Sequence, residues 1–243
     1  MLFVFLNSCQ DDIVERKEGE MADIFLLSRS IPCDIEFLRD KPAVDFYGIY
    51  DFEKSTLKPY QREMLFDYGK RTLSINSCLG MMMKHLCYNL RVKIKFEINP
   101  HINGLACFDS SSGTISFRDE RYIKEPEVLV EELLHIFQRY CFNVSYANRN
   151  AEYEVKVIRD VLNYSRDMTI SAFYRVSGKE MDSYQATYSS WLFQMVVLKI
   201  IPTSEDFDTW FVLWKGENSL PSVVYYMPAL LQWCLSEIYL LRK

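Results

Sequence analysis

No cluster of lysine and arginine occurs anywhere in the chain, and its 28 basic residues are outnumbered by 33 acidic ones, for a formal charge of −5. There is no electrostatic footprint for gripping phosphates, so nucleic acid is excluded as an expected partner. Long hydrophobic runs are also missing. The longest, WLFQMVVLKII at residues 191–201, falls short of the ~20 apolar residues that a membrane-spanning helix needs. None of the seven cysteines forms a C-x-x-C pair, and they are too sparse for a disulfide scaffold, so no bridges are expected. Internal repeats and low-complexity tracts are absent. What is there is a globular composition, 49% hydrophobic and 25% charged over 243 residues, enough to bury one sizeable core with a smaller appended lobe.

The amino terminus, MLFVFLNSCQDD, is a short apolar segment ending in Leu6-Asn7-Ser8-Cys9. It resembles a bacterial lipoprotein signal with its lipobox. The resemblance implies that Cys9 is lipidated as the first residue of the mature protein, that residues 10–55 form a polar tether and irregular approach segment, and that the chain meets the membrane only through a lipid anchor. The implied location is the bacterial cell envelope. An ordinary apolar start to a cytoplasmic chain is the alternative.

Between residues 58 and 90, apolar side chains recur at spacings of three and four (Met64, Leu65, Tyr68, Leu73, Ile75, Leu79, Met82, Met83, Leu86). That pattern predicts one long or broken helix, with Gly69 and Gly80 as candidate breaks. The next stretch, RVKIKFEIN at 91–99, alternates Val92, Ile94, Phe96 and Ile98 with mostly charged neighbours, the period of a strand. LACFDSSSGTISF at 105–117 reads as two short strands joined by a Ser/Gly turn. Pro126 suits the first turn of a helix running to about Phe142, and a second helix opens soon after in NRNAEYEVKVIRD. The aromatic-rich remainder is helical in pattern, and its aromatics are assigned to core.

On a helical wheel, Glu131, Glu132, His135, Gln138 and Arg139 share one side of the first of these helices, opposite Leu129, Val130, Leu133, Leu134, Phe137 and Cys141. Any amphipathic surface helix divides in this way. The second helix is different, because Glu154 falls inside the apolar arc of Ala151, Val155, Ile158, Val161 and Leu162. An inward carboxylate costs several kcal/mol unless it is paired, hydrogen-bonded or bound to metal. Its candidate partners are Arg139, a set of buried donors, or a metal shared with the preceding helix. Glu152 lies off the arc, on the expected wet side, with Lys156 one turn later as a surface partner.

EELLHIFQ at 131–138, followed after eleven residues by NAEYEVKVIRD, resembles a family of zincin-like proteins of Bacteroidales carrying an E-E-L-x-H-x-x-Q helix before an N-x-E-x-E-A-K helix. The likeness covers roughly residues 60–165, and Val155 stands in the place of the pattern's alanine. It implies a gluzincin-type core: a backing helix, a small antiparallel sheet, an active-site helix and a glutamate helix. Carried over by position, Glu131, His135 and Glu154 hold a divalent metal and Glu132 is the general base. Gln138 becomes a substrate-binding or ligand-supporting residue, and Ala106 lies on the strand where a peptide would add. Glu131 stands where the standard pattern has a histidine. Two carboxylates and one imidazole make a harder site, at which zinc is the expected ion and Mn²⁺ or Fe²⁺ compete.

The expected fold class is thus α+β and mainly helical. The signal is assigned to residues 1–9, the tether to 10–55, the zincin-like core to 56–176 and a helical carboxy-terminal lobe packed on the core to 177–243. Three readings stay open. One is a metallopeptidase acting on a peptide or protein; another is a zincin fold without catalysis whose cleft or aromatic carboxy-terminal lobe binds a peptide or envelope component. The third is a helical interaction protein whose Glu131, Glu132 and His135 are merely solvated.

Overall fold

The alternation at 91–98 survives folding: Val92, Ile94 and Phe96 are buried while their neighbours are wetter, as one packed face of a pleated strand requires. In the computed structural model, which describes residues 38–74, 76–144, 148–167, 181–214, 222 and 226–241, this segment gives strand β1 (Lys95–Ile98). Strands β2 (Ala106–Asp109) and β3 (Thr114–Phe117) follow. The expected signal at 1–9, with Cys9, and the tether as far as residue 37 lie outside the described residues.

The sheet order is β1-β3-β2. β2 and β3 form the expected antiparallel hairpin, with Gly113 at φ 64 in its turn. β1 pairs parallel to β3, so the sheet is mixed, and the expectation of a purely antiparallel sheet is corrected. The chain leaves β1, runs outside the hairpin and returns, which lays β3 beside β1 in the same direction. The free side of β1 is closed by residues 49–56: Ile94 N–H donates to Ile49 O (2.7 Å), Asp51 N–H to Ile94 O (2.9 Å) and Thr56 N–H to Phe96 O (3.0 Å). Tyr50 stacks on Phe96 at 5.4 Å. Phe46, Ile49 and Tyr50, expected in the tether and irregular approach segment, are buried in the core. β2 remains as the other edge.

Helix α1 (Pro59–Leu73) and α2 (Ser77–Lys84) are the expected broken helix. The first helix ends at Leu73 and the second starts at Ser77, where Asn76 Oδ1 accepts from Cys78 N–H (2.8 Å) and caps α2. Neither glycine breaks a helix. Gly69 is a close approach instead, because a Cβ there would lie 2.4 Å from the buried Phe46 ring.

α3 (Pro126–Phe142) starts at its proline and ends where Asn143 adopts the left-handed conformation at φ 52, a stop that asparagine tolerates. It buries Leu129, Leu133, Leu134, Ile136 and Phe137 completely. At about 1.5–3 kcal/mol for each such side chain, that burial outweighs the cost of taking polar neighbours inside, provided they are paired. Helix α4 (Arg149–Asp167) is buried along the whole of residues 150–162. It packs against α3, α5 (Met181–Val196) and α7 (Ala229–Leu241). Its Tyr153 sits among Phe207, Phe211 and Trp214 at 5.0, 5.7 and 5.4 Å, on and just after α6 (Ser204–Leu213). The buried side chains of the sheet and all seven described α-helices join one hydrophobic cluster. The protein is α+β and mainly helical, and among the described residues no helix is long and apolar enough to cross a membrane.

Candidate metal centre

With α4 buried all round, it has no wet side. The polar face of α3 meets it, so Glu132, His135 and Gln138 are 6%, 5% and 0% exposed. Glu152, expected at the surface, is 2% exposed, and its Oε1 lies 3.5 Å from His135 Nε2. Lys156 does not pair with Glu152; it turns to Glu131 on α3, as does Arg159, whose Nη2 also reaches Glu127 at 2.6 Å. Glu131, His135 and Glu152 each place a ligand-capable atom within 4.8 Å of the other two.

The charges in this cluster are uneven. Burial pushes the Glu131 carboxyl up, yet Lys156 and Arg159 overcome burial and hold it at about 2. Glu132 moves the other way. Burial, then Glu131 and Glu152, raise it well above the usual carboxylate range. Phe108 N–H is a hydrogen-bond donor to its carboxyl, while Glu132 Oε2 is buried with no hydrogen-bond partner. The direction of that N–H follows from the hairpin: Arg118 N–H donates to Leu105 O (2.9 Å), so by alternation Ala106 and Phe108 turn their backbone polar groups to the outer edge of β2.

Glu154 points inward as expected, but it is not part of the three-residue cluster. Its Oε2 accepts from Tyr226 O–H (2.6 Å) and Gln138 Nε2 (2.7 Å), and its Oε1 accepts from Leu231 N–H (3.0 Å). The donor set comes from α3 and from the carboxy-terminal segment. Arg139, a candidate partner, bonds Asn143 Oδ1 at the surface instead (2.8 Å). Gln138 also donates to Ala151 O (3.1 Å) and contacts His135 Nδ1 through Oε1 (3.1 Å). His85 is buried edge-on against Phe137 and pushed down to about 4 by burial, and His101 is exposed, so neither joins the cluster. Cys107 is disulfide-bonded, which corrects the expectation of no bridges; no C-x-x-C spacing marks it in the sequence.

Glu152 escaped the wheel because the wheel assumes that one side of a helix is wet. The readable signal was its spacing: Glu152 and Lys156 at i and i+4 both face the polar side of α3.

The donor set fits a divalent cation. A direct charged N–H···O contact would close to about 2.7–2.9 Å, whereas an ion bonded to both atoms at about 2.1 Å separates them by about 3.4 Å at a tetrahedral angle. The 3.5 Å between His135 Nε2 and Glu152 Oε1 leaves room for such an ion. The hard oxygen donors and the buried, unpartnered Glu132 Oε2 alongside agree with it. Comparisons with protein-family models, with curated proteins and with solved structures find no match.

Proposed function

We propose that the chain is a zincin-like metallopeptidase of the bacterial cell envelope, in which Glu131, His135 and Glu152 hold one divalent cation and Glu132 is the general base. The observation that carries the reading is the convergence of these three donors, His135 and Glu152 buried and Glu131 half-buried, beside a fourth, buried carboxyl group. A cation bound there supplies Lewis acidity for polarising a peptide carbonyl and activating water, with zinc the first expectation and Mn²⁺ or Fe²⁺ favoured by the two carboxylates. Glu132, with its raised proton affinity, is suited to take a proton from the attacking water and return it to the leaving amine. Ala106, on the edge strand with its backbone turned outward, offers an extended peptide a place to pair. The third ligand is assigned to Glu152 rather than Glu154, because Glu152 places a carboxylate oxygen within 4.8 Å of the Glu131 and His135 donor atoms. An envelope location agrees with the disulfide at Cys107, since such bonds persist in oxidising compartments.

Incubation of the purified protein with a peptide library tests the activity. Turnover lost in Glu132→Gln and with chelator supports it, while turnover that survives Glu132→Gln belongs to a contaminant and removes the proposal. Mass spectrometry of the envelope fraction tests the anchor: a diacyl or triacyl adduct on Cys9 is expected, and an unmodified Met1 in soluble extract opposes it.

One observation favours a second reading. Glu131 is already neutralised by Lys156 and Arg159, as in a chain that keeps this architecture without the ion and binds a peptide or envelope component. Metal-free protein indifferent to added cations would select that reading.

A further inference from the structure

Ala151 O is a backbone carbonyl and can only accept, so the Gln138 side-chain atom 3.1 Å from it must be the amide nitrogen. The same nitrogen faces Glu154 Oε2. The amide orientation is therefore fixed, with Oε1 directed at His135 Nδ1. A carbonyl oxygen cannot donate, so the proton of this contact sits on Nδ1. In the neutral ring that leaves Nε2, 3.5 Å from Glu152 Oε1, as the unprotonated nitrogen, the state a metal ligand requires.

We infer that Gln138, Glu154 and Tyr226 form a positioning chain that locks His135 in its Nδ1–H tautomer and ties the cation site to the carboxy-terminal segment. Glu154 is the hinge of the chain. It receives Gln138 from α3, the Tyr226 hydroxyl ahead of α7 and the Leu231 N–H inside α7. All of these groups are buried: Gln138 is 0% exposed, Glu154 1% and Tyr226 6%. The inward glutamate that the sequence offers as a ligand thus acts one step away from the ion, through Gln138. The functional value of this chain rests on the proposed cation site, but the tautomer does not. Seating of the carboxy-terminal segment and orientation of the imidazole become one event, because Tyr226 and α7 hold the carboxylate that holds Gln138.

Histidine-selective ¹⁵N NMR of the metal-free protein tests the inference. Only three imidazoles are present, and His135 is assigned by its loss in His135→Ala. The expected spectrum places the His135 proton on Nδ1. In Gln138→Met it shifts toward Nε2, and affinity for added Zn²⁺ falls about 10–100-fold. Tyr226→Phe, which leaves Gln138 and His135 intact, moves the same resonance in the same direction by less. A wild-type ring protonated on Nε2 overturns the inference with no variant needed, and so does an unchanged tautomer in Gln138→Met. Absence of Zn²⁺ binding beside an Nδ1–H ring would defeat the cation site and leave the positioning chain standing.

Discussion

Replacing Glu131 with glutamine removes the anion between two buried cations, and the structure sets the size of the loss. Lys156 and Arg159 are each 8% exposed, and both reach the Glu131 carboxylate. They hold its pKa at about 2 against a usual value of 4.5, a drop worth about 3 kcal/mol of native stability at neutral pH. Breaking a buried pair from one side costs a similar about 3–5 kcal/mol, because the opposite charge is left uncompensated. The sign follows from the direction of the drop. The unfolded state binds the proton more readily, so the contribution is complete above about pH 4.5 and disappears as pH falls toward about 2. Urea unfolding in chelator at several pH values reads this directly: the gap between wild type and Glu131→Gln should be about 3 kcal/mol at pH 7 and shrink steadily below pH 4.5. A gap under about 1 kcal/mol at pH 7, or one that ignores pH, would refute the charge balance drawn for this cluster, since exposed pairs contribute only that much.

Glu132→Gln should behave oppositely in stability while abolishing turnover. Its carboxyl is raised well above 4.5 by burial and by Glu131 and Glu152, so wild type loses stability as pH rises past the unfolded value and the amide variant does not; urea midpoints at pH 5 and pH 8 should diverge in favour of the variant. Gly69→Ala forces a Cβ to within 2.4 Å of the buried Phe46 ring and should cost about 1–3 kcal/mol by overpacking, measured as a lowered thermal midpoint. Glu154→Ala leaves Gln138, Tyr226 and Leu231 N–H without their shared acceptor. It should destabilise the fold by several kcal/mol, at about 1–3 for each group left unsatisfied, whereas Glu154→Gln should fold and still bind one equivalent of metal.

Local signals in the sequence located most elements. Pro126 marks the start of α3 and Phe142 its end, and the Val92, Ile94, Phe96 alternation marks the first strand and its buried face. Gly69 misled because a glycine inside a helix can serve contact rather than a break; the contact, Phe46, lies 23 residues away in sequence. The parallel pairing of β1 with β3 is likewise set by a segment 19 residues downstream, and the disulfide at Cys107 has no C-x-x-C spacing to mark it. In the candidate site, the inward direction of Glu154 was legible, because an apolar arc surrounds it. Its partners were not, since Tyr226 and Leu231 lie more than 70 residues downstream. Glu152 and Lys156 read as surface residues because amphipathic periodicity describes a helix with one wet side, and α4 has none.

Metal content of freshly purified protein, measured alongside His135→Ala, Glu152→Ala and Glu154→Gln, tests the central claim most directly. One bound divalent ion per chain is expected in the wild type and in Glu154→Gln, and none in the other two. A folded wild-type protein that carries no metal, and whose unfolding is unmoved by added Zn²⁺, Mn²⁺ or Fe²⁺, would contradict it.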